Sequence, residues 1–301
     1  MKRPRHWWLQ AVVLLAALTL LGVLVNNLTV NLIRTGLGLS FSWLTRPAGF
    51  ALAEHPLPFS PSDSYAWALL MGWLNSLKVI GAGLVAATLI GVGAGTARRS
   101  SNHLLRGLAA LYVGLIRQIP LLLQLLFWYF VAFLALPSNP DSMSPLPLLF
   151  RLSNQGISLL GVPLSVEFCA VLVGLAVFSG ASIAEVVRGG LDAVPRGQWE
   201  AFRSLGVPEG MGLRRIVLPQ ALPAILPGLS SQYLNLAKNS TLAIAVGYAD
   251  LYAVSDTSIT QTGRAIEGFL LLLLSFLLLN LLINGGMQLL NRLVMQPLRH
   301  R

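Results

Sequence analysis

Charged residues are scarce in this chain. Only 11% of its 301 residues are Asp, Glu, Lys or Arg, whereas 55% are hydrophobic and the mean hydropathy is +0.70. Soluble domains carry about 25% charged and about 45–50% apolar residues. This composition cannot cover a water-soluble globule with polar side chains. We therefore expect an all-α integral membrane protein that is surrounded by membrane lipid.

Residues that commonly carry chemistry are also scarce. Cys169 is the only cysteine, so the chain can form no internal disulfide, and an isolated cysteine in an apolar run is usually buried. The four histidines are scattered over loops and termini: His6, His55, His103 and His300. Without metal-ligand spacings, nucleophile elbows or paired carboxylates, we predict no catalytic residue and no metal site, which disfavours a membrane enzyme. The Gly-x-x-x-x-Gly-Lys-Ser/Thr phosphate loop is also absent, so any ATP must bind to another chain.

The charge that is present is mostly basic, with 21 Lys and Arg against 11 Asp and Glu. On a soluble protein this excess would indicate nucleic acid, but on a membrane protein it is typical of cytoplasmic loops. We therefore predict that nucleic acid is not a partner.

Six stretches are long and apolar enough to span a bilayer, which takes about 20 residues. They are residues 8–25, 66–95, 108–136, 168–187, 221–248 and 266–290. Pro120 lies inside the third stretch and is expected to kink or divide it.

The distribution of the basic residues indicates how these spans are oriented in the membrane. With the N-terminus inside, the cytoplasmic segments contain fourteen of the 21 basic residues: Lys2, Arg3, Arg5, Arg98, Arg99, Arg106, Arg188, Arg196, Arg203, Arg214, Arg215, Arg292, Arg299 and Arg301. The outside segments contain four: Arg34, Arg46, Arg151 and Arg264. The positive-inside rule therefore predicts an even number of spans with both termini in the cytoplasm.

The chain is expected to have three parts. Residues 1–65 form an N-terminal anchor helix and an extracytoplasmic segment, residues 66–291 form the transmembrane domain, and residues 292–301 form a basic cytoplasmic tail. The basic start and the apolar run that follows also fit a signal peptide. The length of that run, and the lack of a small-residue cleavage site at 26–29, favour an uncleaved span.

The longest internal cytoplasmic loop, residues 188–219, predicts two short helices. Residues 198–205 favour the first helix, Gly206 can end it in the left-handed conformation, and Pro208 suits the first turn of the second. This projection could present an apolar face to a soluble partner, formed by Trp199, Phe202, Leu205 and Val207.

The spacing within this loop matches a known motif. Glu200-Ala201-Phe202 is followed after three residues by Gly206, and after nine more by Ile216-Val217-Leu218-Pro219. The pattern resembles the EAA loop of bacterial ABC importer permeases, with Phe202 in place of alanine. In that family the loop docks in a cleft of the ATPase subunit. The resemblance therefore implies a docking role for Gln198, Glu200, Ala201, Phe202, Leu205, Gly206, Ile216, Leu218 and Pro219.

Further stretches narrow the resemblance. Residues 184–190 and 218–221 are similar to polar amino-acid uptake permeases, and residues 117–124 and 238–248 are similar to their broad-specificity L-amino-acid subgroup. The resemblance implies a type I ABC importer permease core with an added N-terminal helix, in the bacterial inner membrane. It also implies ATPase subunits that bind ATP and Mg, with no cofactor in this chain. Further implied partners are a second permease, usually a different chain, and a periplasmic amino-acid-binding protein.

Some prolines and glycines in and after the loop differ from the family pattern or could make the backbone deformable. Pro223 occupies a position that is usually basic, and Gly210 and Gly212 are expected to loosen the second short helix. The start of the fifth span contains a proline at every fourth position: Pro219, Pro223 and Pro227. These prolines either make the start of this helix deformable or add a static kink.

Polar residues inside the spans are candidate pathway groups, because they are expensive to place there. Asn235, Lys238 and Asn239 share one helical face, and Ser240 and Thr241 follow. We expect these residues and Gln124 to line the substrate pathway. The alternative is a structural polar kink between helices.

Other charged residues are expected to have structural roles. Lys78 is expected to snorkel or to face a partner, Arg117 to lie at the cytoplasmic boundary, and Glu185 to pair with Arg188 at a helix end.

A self-contained secondary transporter or channel for polar solutes is the alternative function. It predicts internal repeats and intramembrane carboxylates, and the sequence shows no convincing example of either.

Overall fold

The computed structural model describes residues 7–34, 38–138, 150–159 and 162–299. Lys2, Arg3, Arg5, His6, His300 and Arg301 lie outside these residues. The chain divides into two units, Met1–Leu44 and Thr45–Arg301.

The first unit contains one long helix, α1, Trp7–Arg34. Its leucine, valine and tryptophan side chains are exposed from Trp7 to Val25. A 28-residue helix extends about 42 Å, so α1 can cross a bilayer with its apolar side chains in lipid.

The second unit contains nine helices and three short strands within the described residues. The helices are α2 Tyr65–Ala97, α3 His103–Ile116, α4 Leu121–Leu126, α5 Val166–Asp192, α6 Arg196–Ser204, α7 Glu209–Gly212, α8 Leu218–Asn239, α9 Leu251–Thr262 and α10 Ala265–Arg299. The strands are β1 Phe150–Ser153, β2 Gly156–Leu159 and β3 Val162–Ser165.

Side-chain caps fix where four of these helices begin. Ser64 Oγ accepts from the backbone N–H of Trp67 at the start of α2, and Ser165 Oγ accepts from Phe168 at the start of α5. Asn102 and Asp250 cap α3 and α9 in the same way. Each cap satisfies a backbone N–H that has no partner inside the helix.

The centre of the fold is the packing of α2 along α5. A Cβ on Gly91 would lie 2.4 Å from Ile183 Cγ2, and a Cβ on Gly95 would lie 2.8 Å from the carbonyl oxygen of Ala184. Glycines four residues apart therefore let the two backbones approach closely, as in other membrane helix pairs. Larger residues at these two positions would push α2 away from α5.

The predicted third span is broken, as Pro120 indicated. His103–Ile116 and Leu121–Phe133 meet at an angle of 105°. Pro120 precedes α4, and a π-helical segment, Phe127–Phe133, continues it. Residues 108–136 are thus either a broken span or a re-entrant loop.

Among the described residues, four helices are long and apolar enough to cross a membrane, and the number is five if the bent pair is a single span. The four are Trp7–Asn31, Tyr65–Ala97, Val166–Asp192 and Ala265–Leu293. The stretch predicted at 221–248 forms α8 and a 3₁₀ segment, Ser240–Val246, and is more polar than the other spans. The count of six is therefore approximate.

Two elements were not predicted. The strands form an antiparallel sheet in the order β1-β2-β3, although the fold was expected to be all-α. Gly156 at φ +122° starts β2, and the turn residues Asn154 and Gln155 before it were the available signal. The second is α9, which is short and follows the left-handed Gly247.

Candidate docking projection and polar helix face

The loop between α5 and α8 folds into two short helices, as predicted. α6 begins after Pro195, and Gly206 at φ +71° ends it. The N–H of Gly206 donates to the carbonyl of Arg203 at 2.9 Å. Pro208 then precedes α7, and a π-helical turn, Leu213–Val217, leads into α8. We call α6, α7 and the residues between them the docking projection.

The apolar residues of the docking projection do not all face outward, contrary to expectation. Trp199 is 9% exposed and Phe202 is 1% exposed, and both belong to the main core of the chain. Leu205 is 80% exposed. A nine-residue helix is not stable alone, so it buries one face against its own protein. The apolar surface left for a partner is therefore centred on Leu205.

Gly212 makes room for Phe202. A Cβ on Gly212 would lie 2.4–2.8 Å from atoms of the Phe202 ring. This glycine was expected to loosen the second short helix, but its small size lets α7 pack on the ring of α6. Phe202 and Gly212, two of the departures from the family pattern, are thus in contact with each other.

The remaining docking residues divide between surface and core. Gln198, Glu200, Ala201 and Gly206 are exposed. Ile216 and Leu218 pack against the core, and Pro219 lies at the start of α8. The amide of Gln220 donates to the side-chain oxygen of Gln198 at 3.2 Å, which joins α8 to α6.

An ion-pair network joins α2, α3 and α5 beside the projection. The carboxylate of Glu185 pairs with Arg98, with Arg188 Nε at 3.0 Å and with Arg117 Nη1 at 3.6 Å. The Glu185–Arg188 pair is the one that the sequence predicted. Four charges at one helix end hold three helices together more firmly than a single surface pair could.

The same network reaches the projection through Arg99. Its guanidinium pairs with Asp192 at 2.8 Å and lies 5.0 Å from the ring centre of Trp199. Asp192 also accepts from Arg188 Nη1 at 2.6 Å. The end of α5 is therefore connected to both α2 and α6.

The predicted pathway residues of α8 lie on two sides of the helix. Asn235 and Lys238 are exposed, and Asn239 is half-buried. The hydroxyl of buried Ser240 donates to Ala237 O at 2.9 Å, and that of Thr241 donates to Lys238 O at 2.8 Å. The exposed face of α8 is small and polar along its length: Gln220, Pro223, Ala224, Pro227, Ser231, Asn235 and Lys238.

Gln124 lies at the bend between α3 and α4. Its amide nitrogen donates to the carbonyls of Ile116 and Ile119, each at 2.9 Å. Its side chain is 5% exposed, and its buried oxygen Oε1 has no hydrogen-bond partner. The amide thus satisfies carbonyls that the break at Pro120 leaves outside a regular helix.

A second polar cluster, centred on Glu54, was not predicted from the sequence. Lys78 pairs with Glu54 and lies 4.3 Å from the centre of the Phe168 ring, contacts within the chain that were not predicted for it. Ser165 donates to the other oxygen of Glu54. Asn75 donates to the backbone carbonyl of Glu54 at 2.8 Å. The segment before α2 is therefore anchored to α2 and α5.

Asp250 lies near this cluster, between the 3₁₀ segment and α9. Asn75 also donates to Ala249 O at 2.8 Å, next to Asp250. Burial raises the pKa of Asp250 to about 7, although its Oδ1 accepts from Ala253 N at 2.8 Å. Its other oxygen has no hydrogen-bond partner.

Several long apolar helices, two of which pack closely through glycines, define a helical membrane protein. The chain belongs to the family described as binding-protein-dependent transport system inner membrane component, whose family model matches residues 87–296. It is therefore a membrane transport subunit and not an enzyme.

Relatives agree with this assignment over most of the chain. It is 32% identical to the putative amino-acid ABC transporter permease protein YhdX of Escherichia coli K12, over 96% of this chain and 93% of that protein. It is 33% identical to the general L-amino acid transport system permease protein AapQ of Rhizobium johnstonii, over 80% of each.

Solved structures share the fold. A chain from a crystal structure of an amino acid ABC transporter with histidines aligns at a TM-score of 0.58 and 28% identity, over 76% of this chain and 94% of that one. A chain of the inward-facing MetNI methionine ABC transporter aligns at a TM-score of 0.58, over 76% of this chain and 96% of that one. Because the sequence identity is 21%, this alignment supports only the similarity of the folds.

Proposed function

We propose that this chain is the permease subunit of an ATP-binding cassette importer for L-amino acids in the bacterial inner membrane. The observation that carries the proposal is the docking projection, whose residue spacing is that of the EAA loop and whose Leu205 is exposed. The names of the relatives supply the substrate class.

The proposed mechanism is alternating access. A periplasmic binding protein delivers the amino acid, and separate ATPase subunits bind ATP and Mg. Closure of the ATPase subunits moves the docking projection. In this arrangement both termini of the chain are cytoplasmic. The ion pairs from Arg99 and Glu185 support this route, because they join the base of the projection to α2, α3 and α5.

The proposed pathway lies between this chain and a second permease, usually a different protein. The exposed face of α8 supports this arrangement. Small and polar residues there, from Pro223 to Lys238, are poorly suited to lipid but suited to a partner helix or a polar solute. Asn235, Lys238 and Asn239 are the proposed lining, with Gln124, Ser240 and Thr241 behind them.

Reconstitution tests the proposal. The chain is co-expressed with candidate ATPase and permease partners, and uptake of a panel of amino acids into vesicles is measured with and without ATP. Leu205→Asp should lower ATPase co-purification and ATP-dependent uptake at least tenfold, because a carboxylate cannot enter an apolar partner pocket without a large desolvation cost.

Leu57→Asp is the matched control, since Leu57 is also an exposed leucine but lies in the segment before α2. It should leave co-purification unchanged. Uptake by the chain without any ATPase would instead identify a secondary transporter. Equal binding of the ATPase by the wild-type chain and Leu205→Asp would remove the docking role of this surface.

A further inference from the structure

An arginine-rich cavity lies between the docking projection and the loop that joins α2 to α3. Its volume is about 440 Å³. Five guanidinium groups line it against one carboxylate, that of Glu200: Arg98, Arg99, Arg106, Arg196 and Arg203. Ser100, Ser101 and Trp199 complete the wall. A cavity of this size and charge can hold a phosphate-bearing group.

Two of these arginines have no acidic partner among the described residues, and Arg106 contacts Nδ1 of His103. Arg98, Arg99 and Arg203 pair with Glu185, Asp192 and Glu209. No carboxylate in the described part of the chain lies within ion-pair distance of Arg106 or Arg196. These two come from opposite walls, α3 and α6, so an anion between them would join the walls.

A second cavity adjoins the first and is more apolar. Its volume is about 360 Å³, and it shares Arg99, Ser100 and Trp199 with the first. Its own lining includes Gly93 and Ala97 of α2, Leu105 of α3 and Leu213, together with the carboxylate of Glu209, which pairs with Arg203. The pair of cavities is thus amphiphilic, with arginines at one end and aliphatic surface along the end of α2 at the other.

The position of these cavities relative to lipid follows from α3. Its first two turns expose Leu104, Leu105 and Leu108, which need hydrocarbon or another protein as cover. With hydrocarbon as that cover, residues 98–103, which lead into α3, would lie at the level of the lipid headgroups. Basic pockets between membrane helices at that level bind anionic lipid headgroups.

We propose that the two cavities bind one anionic phospholipid. The phosphate lies among the arginines, between Arg106 and Arg196, and the first part of an acyl chain lies along Gly93 and Leu105. The bound lipid bridges α3 and α6 and so ties the docking projection to the membrane surface. This proposal does not depend on the identity of the transported solute.

The role of the arginines is tested on the full chain in mixed micelles of detergent and phosphatidylcholine. Phosphatidylglycerol is then titrated into the sample. Intact-complex mass spectrometry counts the bound lipid. The double variant Arg106→Gln/Arg196→Gln should weaken binding of phosphatidylglycerol about a hundredfold, about tenfold for each charge-assisted hydrogen bond removed. The control Arg214→Gln/Arg215→Gln removes two exposed arginines outside the cavity and should change binding less than about threefold. Equal losses in both would overturn the site.

The acyl chain is tested by Gly93→Leu. A Cβ on Gly93 meets no atom within 4 Å, so leucine fills the apolar cavity without strain. This substitution should weaken the binding of phosphatidylglycerol about tenfold and leave the competition by inorganic phosphate unchanged. If Gly93→Leu has no effect while phosphate displaces the lipid at equal concentration, the ligand is free phosphate and the lipid is excluded. Loss of the bound lipid when the ATPase is added would assign the cavity to a protein partner instead.

Discussion

Phe202 and Gly212 illustrate how two residues that each look unfavourable can be complementary. Phenylalanine is larger than the alanine of the EAA pattern, and glycine is a poor helix former. In the structure the Phe202 ring occupies the space that a side chain at position 212 would need. Each residue is therefore explained by the other.

A double-mutant cycle tests this contact. Gly212→Ala should destabilise the docking projection by about 1–3 kcal/mol, because the new methyl group overlaps the Phe202 ring. Phe202→Ala alone should cost about 3–5 kcal/mol through the cavity that it leaves. The double variant should be less destabilised than the sum of the two, as measured by thermal unfolding of the purified chain.

Gly210→Ala serves as the control, because a Cβ on Gly210 meets no atom within 4 Å. It should be neutral or slightly stabilising, since alanine favours a helix. Additive effects of Phe202→Ala and Gly212→Ala would show that the two residues do not interact.

Residues with a local backbone role were predictable from the sequence, and those with a tertiary role were not. Gly206 was expected to be left-handed from its place after a helical stretch, and its φ is +71°. Gly212, Gly91 and Gly95 depend on what packs against them. The ion pair of Lys78 was not predicted for the same reason, since its partner Glu54 lies 24 residues away.

At the scale of elements, the bend between α3 and α4 combines a predictable break with an unpredictable geometry. Pro120 indicated the break, since proline lacks an N–H and restricts the residue before it. The angle of 105° and the π-helical segment after α4 come from packing against α5, which the sequence of the span does not encode locally. Gln124 completes the bend through two hydrogen bonds.

Gln124→Leu tests the role of this side chain. It removes both donors and leaves the Ile116 and Ile119 carbonyls without that partner, which should cost about 1–3 kcal/mol of stability. Gln118→Leu is the matched control, since Gln118 is exposed and its bond to Gly114 O can be replaced by water. Thermal unfolding measures both variants. Unchanged stability with a raised KM for uptake would instead favour the pathway role predicted for Gln124.

At the scale of the whole molecule, the faces of α8 and α10 divide the surface by chemistry. The exposed side chains of α10 include Leu270, Leu273, Leu277 and Leu281, which suit lipid. The exposed face of α8 carries proline, serine, asparagine and lysine. The sequence located the polar residues near the end of α8 but not the continuous polar face, because the apolar residues between them obscured its period.

Lys238→Ala tests whether this face contacts the solute. If the ammonium binds the α-carboxylate of the amino acid, uptake should fall at least tenfold while ATPase co-purification stays normal. The control Gln288→Ala removes an exposed polar group from α10 and should leave uptake unchanged. Normal transport by Lys238→Ala would exclude a required contact with the substrate.

The glycine contacts between α2 and α5 determine how force can spread through the subunit. Side chains that interdigitate can slide by changing rotamer, but backbones in contact at Gly91 and Gly95 cannot. In the proposed mechanism, a force applied at the end of α5 would therefore move α2 and α5 together as one rigid body. The same mechanism would place the conformational change at the bend around Pro120 and at the proline-rich start of α8, so that the pathway would open by rotation of the α2–α5 pair and not by sliding of one helix along the other.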